Sequence, residues 1–526
     1  MLNLIKILTN RIIIIGVLVV VQLLFIIGGI FVVSDKLVYV NNALTVISIL
    51  VVIYIINKPD NPSYKLAWII PILIFPIFGG LFYLLFGGRR VGKHLKTQSL
   101  KVFKETSSLL KQDPDIMKEI KASSASVHSQ VSYLVTPHKK TGVDDTIPTQ
   151  PYPVYKNTET KYLSPGETFF EQLIHELKQA KHFIYMEYFI IEEGFMWDNI
   201  LAVLSEKAAE GVDVRIIYDD FGCIMKLPMD YPKALAKKNI KCRKFNPMRA
   251  HLMKVPLMNN RDHRKITVID GHTGFTGGIN LADEYMNVTH PFGYWKDSAV
   301  MLKGEAVWSL TVMFMQMWNH CGPYEKFKYS RYAPYIHSTK QFNTDGYVLP
   351  YSDSPMDSEI QAEMVYLNMI NKATKYVYIS TPYLIIDNEL STALMMAAKN
   401  GVDVRIVTPH KYDKWYVHMC TQANYVELVK SGVKIYEYAP GFIHSKTFVS
   451  DDEIATIGTV NMDYRSLYLH FECGTFLYKS SAVKQLKDDY IHMLQDCMEM
   501  TEEKCNSVNI FKRLTRGIIR VFSPLL

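Results

Sequence analysis

The hexamer Gly-Val-Asp-Val-Arg-Ile occurs twice, at 211–216 and 401–406, 190 positions apart. Its surroundings repeat too. Phe183 to Ile191 (FIYMEYFII) and Tyr376 to Ile385 (YVYISTPYLI) are rich in β-branched and aromatic residues. In each copy a helical pattern follows, ends at a glycine, and gives way at once to the hexamer strand. A strand–helix–strand unit implies parallel strands covered by helices. Two copies in one chain predict an α/β fold built from two pseudo-twofold-related α/β domains.

Each copy ends in the same polar set. The first is His263-Arg264-Lys265, then Asp270, Gly277 and Asn280; the second is His444-Ser445-Lys446, then Asp451, Gly458 and Asn461. Adding 181 to 263, 265, 270, 277 and 280 gives 444, 446, 451, 458 and 461, so five positions match in type and spacing. Side chains alternate along a strand. His263 and Lys265 are therefore expected on one face, and so are His444 and Lys446. Bringing the halves together makes one pocket with two imidazoles and two ammonium groups, which suits a phosphate. The lysines neutralise its oxygens, one histidine attacks phosphorus, and the other protonates the leaving alcohol. Asp270 and Asp451 are expected to hold and polarise one imidazole each. Asn280 and Asn461 are expected to add substrate-binding donors. A metal is not expected, because an ammonium beside each histidine cannot be a ligand.

These residues resemble the duplicated HKD motif of the phospholipase D superfamily, over about 160 to 500. More narrowly the chain is similar to the bacterial cardiolipin synthases. That likeness rests on the Leu-Ala-Trp and Tyr-Leu-Leu-Phe-Gly pieces within 61–87, on Tyr294-Trp295-Lys296-Asp297, on Asn461-Met462-Asp463-Tyr464-Arg465-Ser466, and on the terminal Ser523-Pro524-Leu525-Leu526. The resemblance implies phospholipase D-like domains and cofactor-free, metal-independent catalysis through a phosphohistidine. It also implies phosphatidylglycerol and anionic membrane lipid as partners, and His263 as the nucleophile with His444 as the acid. Glu187, in the first repeat strand, is expected either to contact substrate hydroxyls or to serve the fold.

The N-terminal part is of another kind. Ile12 to Val33 is 22 residues with no charge and one amide, Gln22, long enough at about 33 Å to cross a hydrocarbon core. It is too long for a signal-peptide core, and no small-residue cleavage site follows. A second apolar stretch runs from Leu37 to Asn57. A third, Leu66 to Phe86, holds Pro71, Pro76, Gly79 and Gly80, with lysines and arginines on both sides. Two transmembrane helices and a bent re-entrant segment put all the basic clusters on the cytoplasmic side; three full spans leave one outside. The expected organisation is an anchor at 1–88, a linker at 89–155, domains at 156–330 and 331–500, and a basic amphipathic tail at 501–526. The tail is expected on a membrane surface or packed on the catalytic domains.

The competing functions are phosphodiester hydrolysis, as a phospholipase or nuclease, and a non-catalytic lipid-binding scaffold. The complete double motif counts against a scaffold. The anchor, and the lack of a long basic stretch by the site despite a net charge of +7, count against nucleic acid. Seven scattered cysteines include no metal-ligand spacing or disulfide framework.

Overall fold

A computed structural model describes residues 35–58, 60–75, 79, 80, 83, 87, 93–138, 147–247, 259–338, 341–357 and 359–525. The chain divides into two compact units. One comprises Met1–Arg90, Met253–Pro256 and Val521–Leu526; the other comprises Val91–Leu252 and Leu257–Arg520.

In the first unit, helices Asp35–Ile56 and Pro62–Ile74 pack around Ile55, Tyr64, Trp68, Ile72 and Tyr83. Asn61 caps the second helix by accepting from Ser63 N at 2.9 Å, with Pro62 at the first helical position, where no N–H is needed. This helix runs through Pro71 and stops at Phe75. A side chain at Gly79 would fall 2.5 Å from Ile72 Cα, so only glycine admits this close return of the chain. Val46, Ile47, Leu50 and Ile53 are exposed along the first helix. Among the described residues no helix is long and apolar enough to cross a membrane. The run Ile12 to Val33, on which the first transmembrane helix was expected, lies outside them.

The second unit holds both repeats. The first-half strands are β1 (Thr158–Leu163), β2 (Phe183–Tyr188), β3 (Asp213–Asp219), β4 (Lys241–Phe245), β5 (Ile266–Ile269), β6 (Thr273–Gly277), β7 (Tyr294–Lys296) and β8 (Ala299–Gly304). Those of the second half are β9 (Tyr347–Asp353), β10 (Tyr376–Ser380), β11 (Leu384–Ile385), β12 (Asp403–Pro409), β13 (Lys434–Tyr438), β14 (Gly441–Ile443), β15 (Thr447–Ser450), β16 (Ile454–Gly458), β17 (Met462–Asp463), β18 (Glu472–Tyr478) and β19 (Cys497–Glu499). One sheet has the order β1-β8-β6-β5-β2-β3-β4, and the other β19-β13-β12-β10-β15-β16-β18-β9. The hexamer strands β3 and β12 lie parallel to β2 and β10, as the repeat predicts. The sheets are nonetheless mixed: β5 and β15, which follow the motif histidines, run antiparallel to β2 and β10. Three-residue turns, 270–272 and 451–453, feed each of them into the next strand, so the motif strands are hairpins and need no crossover.

Local chemistry explains the repeat. Helix Phe195–Ala209 ends at Glu210, and Gly211 takes φ +94°; Gly401 does the same at φ +92°. The left-handed residue closes the helix and turns the chain directly into β3 or β12. The segment expected as a linker carries helices Lys93–Thr106, Pro114–Ser123 and Ala125–Val135, whose Ile120, Val127, Val131 and Leu134 join the core. The seven cysteines are free thiols.

Candidate active site

Register puts the chemistry at one edge of each sheet. Tyr188 pairs with Tyr218 and Glu187 with Ile266, so His263 lies just beyond the carboxyl ends of β2 and β3. Ser380 pairs with both Val407 and Thr447, and so places His444 likewise in the second half. His263 and Lys265 themselves precede β5, outside the regular strand.

The halves are then stitched across. His263 N donates to Phe471 O at 2.9 Å, and Phe471 N to Arg261 O at 2.8 Å. Reciprocally, β14 lies parallel to β7, and His444 N donates to Lys296 O at 2.7 Å. In each case the next residue on the opposite strand is an acid. Glu472 meets His263 Nδ1 at 3.0 Å, and Asp297 Oδ2 meets His444 Nδ1 at 2.6 Å. Each histidine thus takes its carboxylate from the other repeat. Thr459 Oγ1 and Ser466 Oγ also donate to Glu472 and fix its rotamer. The motif glycines make room: a side chain at Gly278 would strike the Asp297 carboxylate, and one at Gly458 would come within 2.5 Å of Cys473 O.

With Nδ1 donating to a carboxylate, each neutral imidazole presents Nε2 as a free base. The surroundings favour that neutral form. Burial, then the charges of Lys265, Lys446 and His444, hold His263 well below the usual histidine range. Burial and Lys446 lower His444 to about 4, against the pull of Asp297. Burial also lowers Lys265 to about 8 and Lys446 to about 7, although Asp297 and Glu472 both favour the charged ammonium. Burial raises Asp297, but His444 and Lys446 more than offset it and leave the acid below its ordinary value. Each lysine bonds back to the carbonyl of its own histidine: Lys265 Nζ to His263 O at 2.6 Å, and Lys446 Nζ to His444 O. The site is therefore a buried cluster of two bases and two ammonium groups.

The role expected for Asp270 and Asp451 is corrected. Neither touches an imidazole. Asp270 accepts from the backbone N–H groups of Lys181, His182 and Phe183, each at 2.8 Å. Asp451 accepts from Thr374, Lys375 and Tyr376 at 2.7–2.9 Å. Both occupy left-handed turns, with φ +50° and +55°, which aim the carboxylate back at the start of β2 or β10. They clamp the motif hairpin onto the central strand. Asn280 accepts from Ile190 N and donates to Tyr285 OH, so its amide ties two loops together beside the site. Asn461 Oδ1 is buried with no hydrogen-bond partner. Glu187 serves the fold: it lies 2.7 Å from Arg264 Nε, fully buried, and burial raises its pKa well above the usual range.

Asp297 and Glu472 are the residues that spacing does not reveal. They follow their histidines by 34 and 28 positions, since 297 − 263 = 34 and 472 − 444 = 28, so adding 181 to 297 lands on Tyr478 instead. The sheet register exposes the equivalence: Gly277 pairs with Ala299 and Gly458 with Gly474, each two residues past the acid. Trp295, two residues before Asp297, is buried, and its ring lies 5.2 Å from that of His444. Among the described residues one group is close enough to hold a metal ion, His263, His470 and Glu472, with ligand atoms within 4.8 Å of one another. His470 and Glu472 thus flank His263, the expected nucleophile.

A family model described as cardiolipin synthase, PLD-like domain, matches residues 173–318 and 366–494. One described as phospholipase D-nuclease N-terminal matches 46–88. An uncharacterized protein of Streptococcus mutans is 41% identical over 90% of this chain and 99% of its own length. A cardiolipin synthase of Alkalihalophilus pseudofirmus is 34% identical over 92% of each chain. The crystal structure of a phosphatidylserine synthase from Haemophilus influenzae has the same fold, with a TM-score of 0.54 at 13% identity over 71% of this chain and 95% of the other. Both repeats fall within the matched model and a third of the residues agree across nearly the whole length of a synthase, so the chain belongs to the phospholipase D-like cardiolipin synthase family.

Proposed function

We propose that this protein is a cardiolipin synthase that joins two phosphatidylglycerol molecules and releases glycerol. The observation that carries the mechanism is the reciprocal pairing of His263 with Glu472 and His444 with Asp297. His263 Nε2 attacks the phosphorus of the first lipid. The bond from phosphorus to the headgroup glycerol oxygen breaks, and His444, as imidazolium, protonates that oxygen. The terminal hydroxyl of a second phosphatidylglycerol then attacks the phosphohistidine, His444 takes its proton, and the P–N bond breaks. Lys265 and Lys446 hold the non-bridging oxygens through both steps. The incoming phosphodiester anion opposes the burial and lysine charges that lower the imidazole pKa values, and so favours the charged form of the acid. Asn461, with its unpartnered amide oxygen, is offered to a substrate hydroxyl.

We place the enzyme in the cell membrane as a multi-pass protein with a cytoplasmic catalytic part. Support comes from the apolar 12–33 run, the basic clusters around the third apolar stretch, and the apolar side chains exposed along Asp35–Ile56. The test is to give the purified full chain phosphatidylglycerol and identify products by mass spectrometry. Cardiolipin with one glycerol per cardiolipin supports transfer. Phosphatidic acid with glycerol, and no cardiolipin, establishes the hydrolase.

A further inference from the structure

The C-terminal helix Ile510–Val521 packs the wrong way round for a soluble protein. A surface helix ordinarily buries its apolar stripe and exposes its charges. Here Arg516 is the buried residue and donates to Gln422, while Arg520 pairs with Glu427 at 3.2 Å. Ile510, Leu514 and Ile518, spaced four apart on one face, are exposed, and so is Phe511, at 78%. The helix touches Trp415–Ala423 through the Arg516–Gln422 hydrogen bond, and Lys512 and Arg516 lie near enough for their charges to act on His418 of that helix.

That neighbouring helix begins at Trp415, which is 57% exposed, and Tyr412 just before it is exposed as well. They belong to the loop that leaves β12 at the catalytic edge of the second sheet. The equivalent loop, leaving β3 at the catalytic edge of the first, exposes Phe221, Met225 and Met229. The first loop reaches the site through Phe221, whose ring lies 5.2 Å from the guanidinium of Arg261, two residues before His263; Tyr416, next to Trp415, lies near enough for its charge to act on buried Arg465, as Arg261 does.

We infer that these two loops and the outer face of the C-terminal helix form a docking surface for an anionic bilayer, by which the catalytic unit engages lipid around its own active-site mouth. Charge selects the occupant. The helix carries Lys512, Arg513, Arg516 and Arg520 and no acid, and Lys512 and Arg513 are exposed beside the apolar face. A second copy of this face would bring cations against cations, whereas anionic headgroups neutralise them. The inference rests on the reading that the substrate is a bilayer lipid, and adds where the protein meets that bilayer.

Two measurements on the full chain test it. In vesicles of phosphatidylglycerol with bromine-labelled phosphatidylcholine, bromine quenches tryptophans that enter the acyl region. Trp415→Phe is expected to remove a large share of that quenching. Separately, Leu514→Glu/Ile518→Glu is expected to lower turnover of long-chain phosphatidylglycerol in bilayers by about tenfold or more relative to turnover of monomeric short-chain phosphatidylglycerol. An unchanged melting curve would show that the variant folds. Quenching that Trp415→Phe leaves intact, or an unaltered bilayer-to-monomer ratio in the glutamate variant, overturns the docking surface. If the wild type turns over neither lipid, the substrate reading fails, while the quenching still decides whether the surface meets lipid.

Discussion

Exchanging Asp297 for asparagine separates the carboxylate that serves the chemistry from the one that serves the fold. Asp297 is wholly buried and 2.6 Å from His444 Nδ1. In the transition state that contact is a charge-assisted bond to an imidazolium. Such bonds contribute about 1.5–3 kcal/mol, or roughly 10- to 150-fold in rate. Asparagine can also turn its NH2 toward Nδ1 and enforce the tautomer with Nε2 protonated, which deepens the loss. Asp297→Asn is therefore expected to lower kcat about 10- to 150-fold or more, with little change in melting temperature. Asp270→Asn should do the opposite. It leaves at least one of three backbone donors, those of Lys181, His182 and Phe183, facing an NH2 group. That costs about 1–3 kcal/mol of stability, with turnover per folded molecule kept. The assay pairs cardiolipin formation by mass spectrometry with thermal unfolding of the same samples. Retained turnover in Asp297→Asn, with lost turnover and an unchanged melting curve in Asp270→Asn, would refute the assignment.

Three further outcomes are expected. Lys446 and Lys265 have pKa values depressed to about 7 and about 8, and the protonated lysine binds phosphate, so kcat/KM should fall as pH rises through 7 to 8; a flat profile to pH about 9 would contradict this. The same shifts make the folded state bind fewer protons than the unfolded chain above these values, so stability should rise with pH over that window, and a parallel loss of stability would contradict the reading. A chelator should leave activity unchanged, since each imidazole has an ammonium beside it; loss restored by one metal would put His263, His470 and Glu472 in a metal site instead. A fluorescent reporter fused after Leu526 should fluoresce in the cytoplasm, and alkaline phosphatase activity from the same fusion point would overturn the topology.

The repeat was legible because its signals are local. A glycine that must go left-handed ends a helix, and a β-rich hexamer follows, in both halves at one spacing. The four motif side chains, His263, Lys265, His444 and Lys446, were legible for the same reason. The orienting acids were not, because they act across the pseudo-twofold axis and the connection to Glu472 is shorter than that to Asp297. The misreading of Asp270 and Asp451 has a related cause: spacing shows that an acid follows each lysine, but only the turn conformation shows that it points back to β2 or β10. The alternation that placed His263 and Lys265 on a strand likewise missed that regular pairing begins at Ile266. Polar composition hid the helices of 93–135, whose core-facing residues are few and widely spaced.

The central claim is a covalent intermediate on one histidine with the other as acid, and trapping it is the direct test. A general acid matters little when the leaving group departs without a proton. With a phosphatidyl nitrophenyl ester, His444→Ala should form a stoichiometric adduct that peptide mapping after rapid denaturation places on His263. His263→Ala should form none. An adduct on His444 in the His263→Ala protein, with none in the converse variant, would exchange the two roles. No phosphohistidine in either variant or in the wild type, while nitrophenolate is released, would contradict the double-displacement mechanism itself.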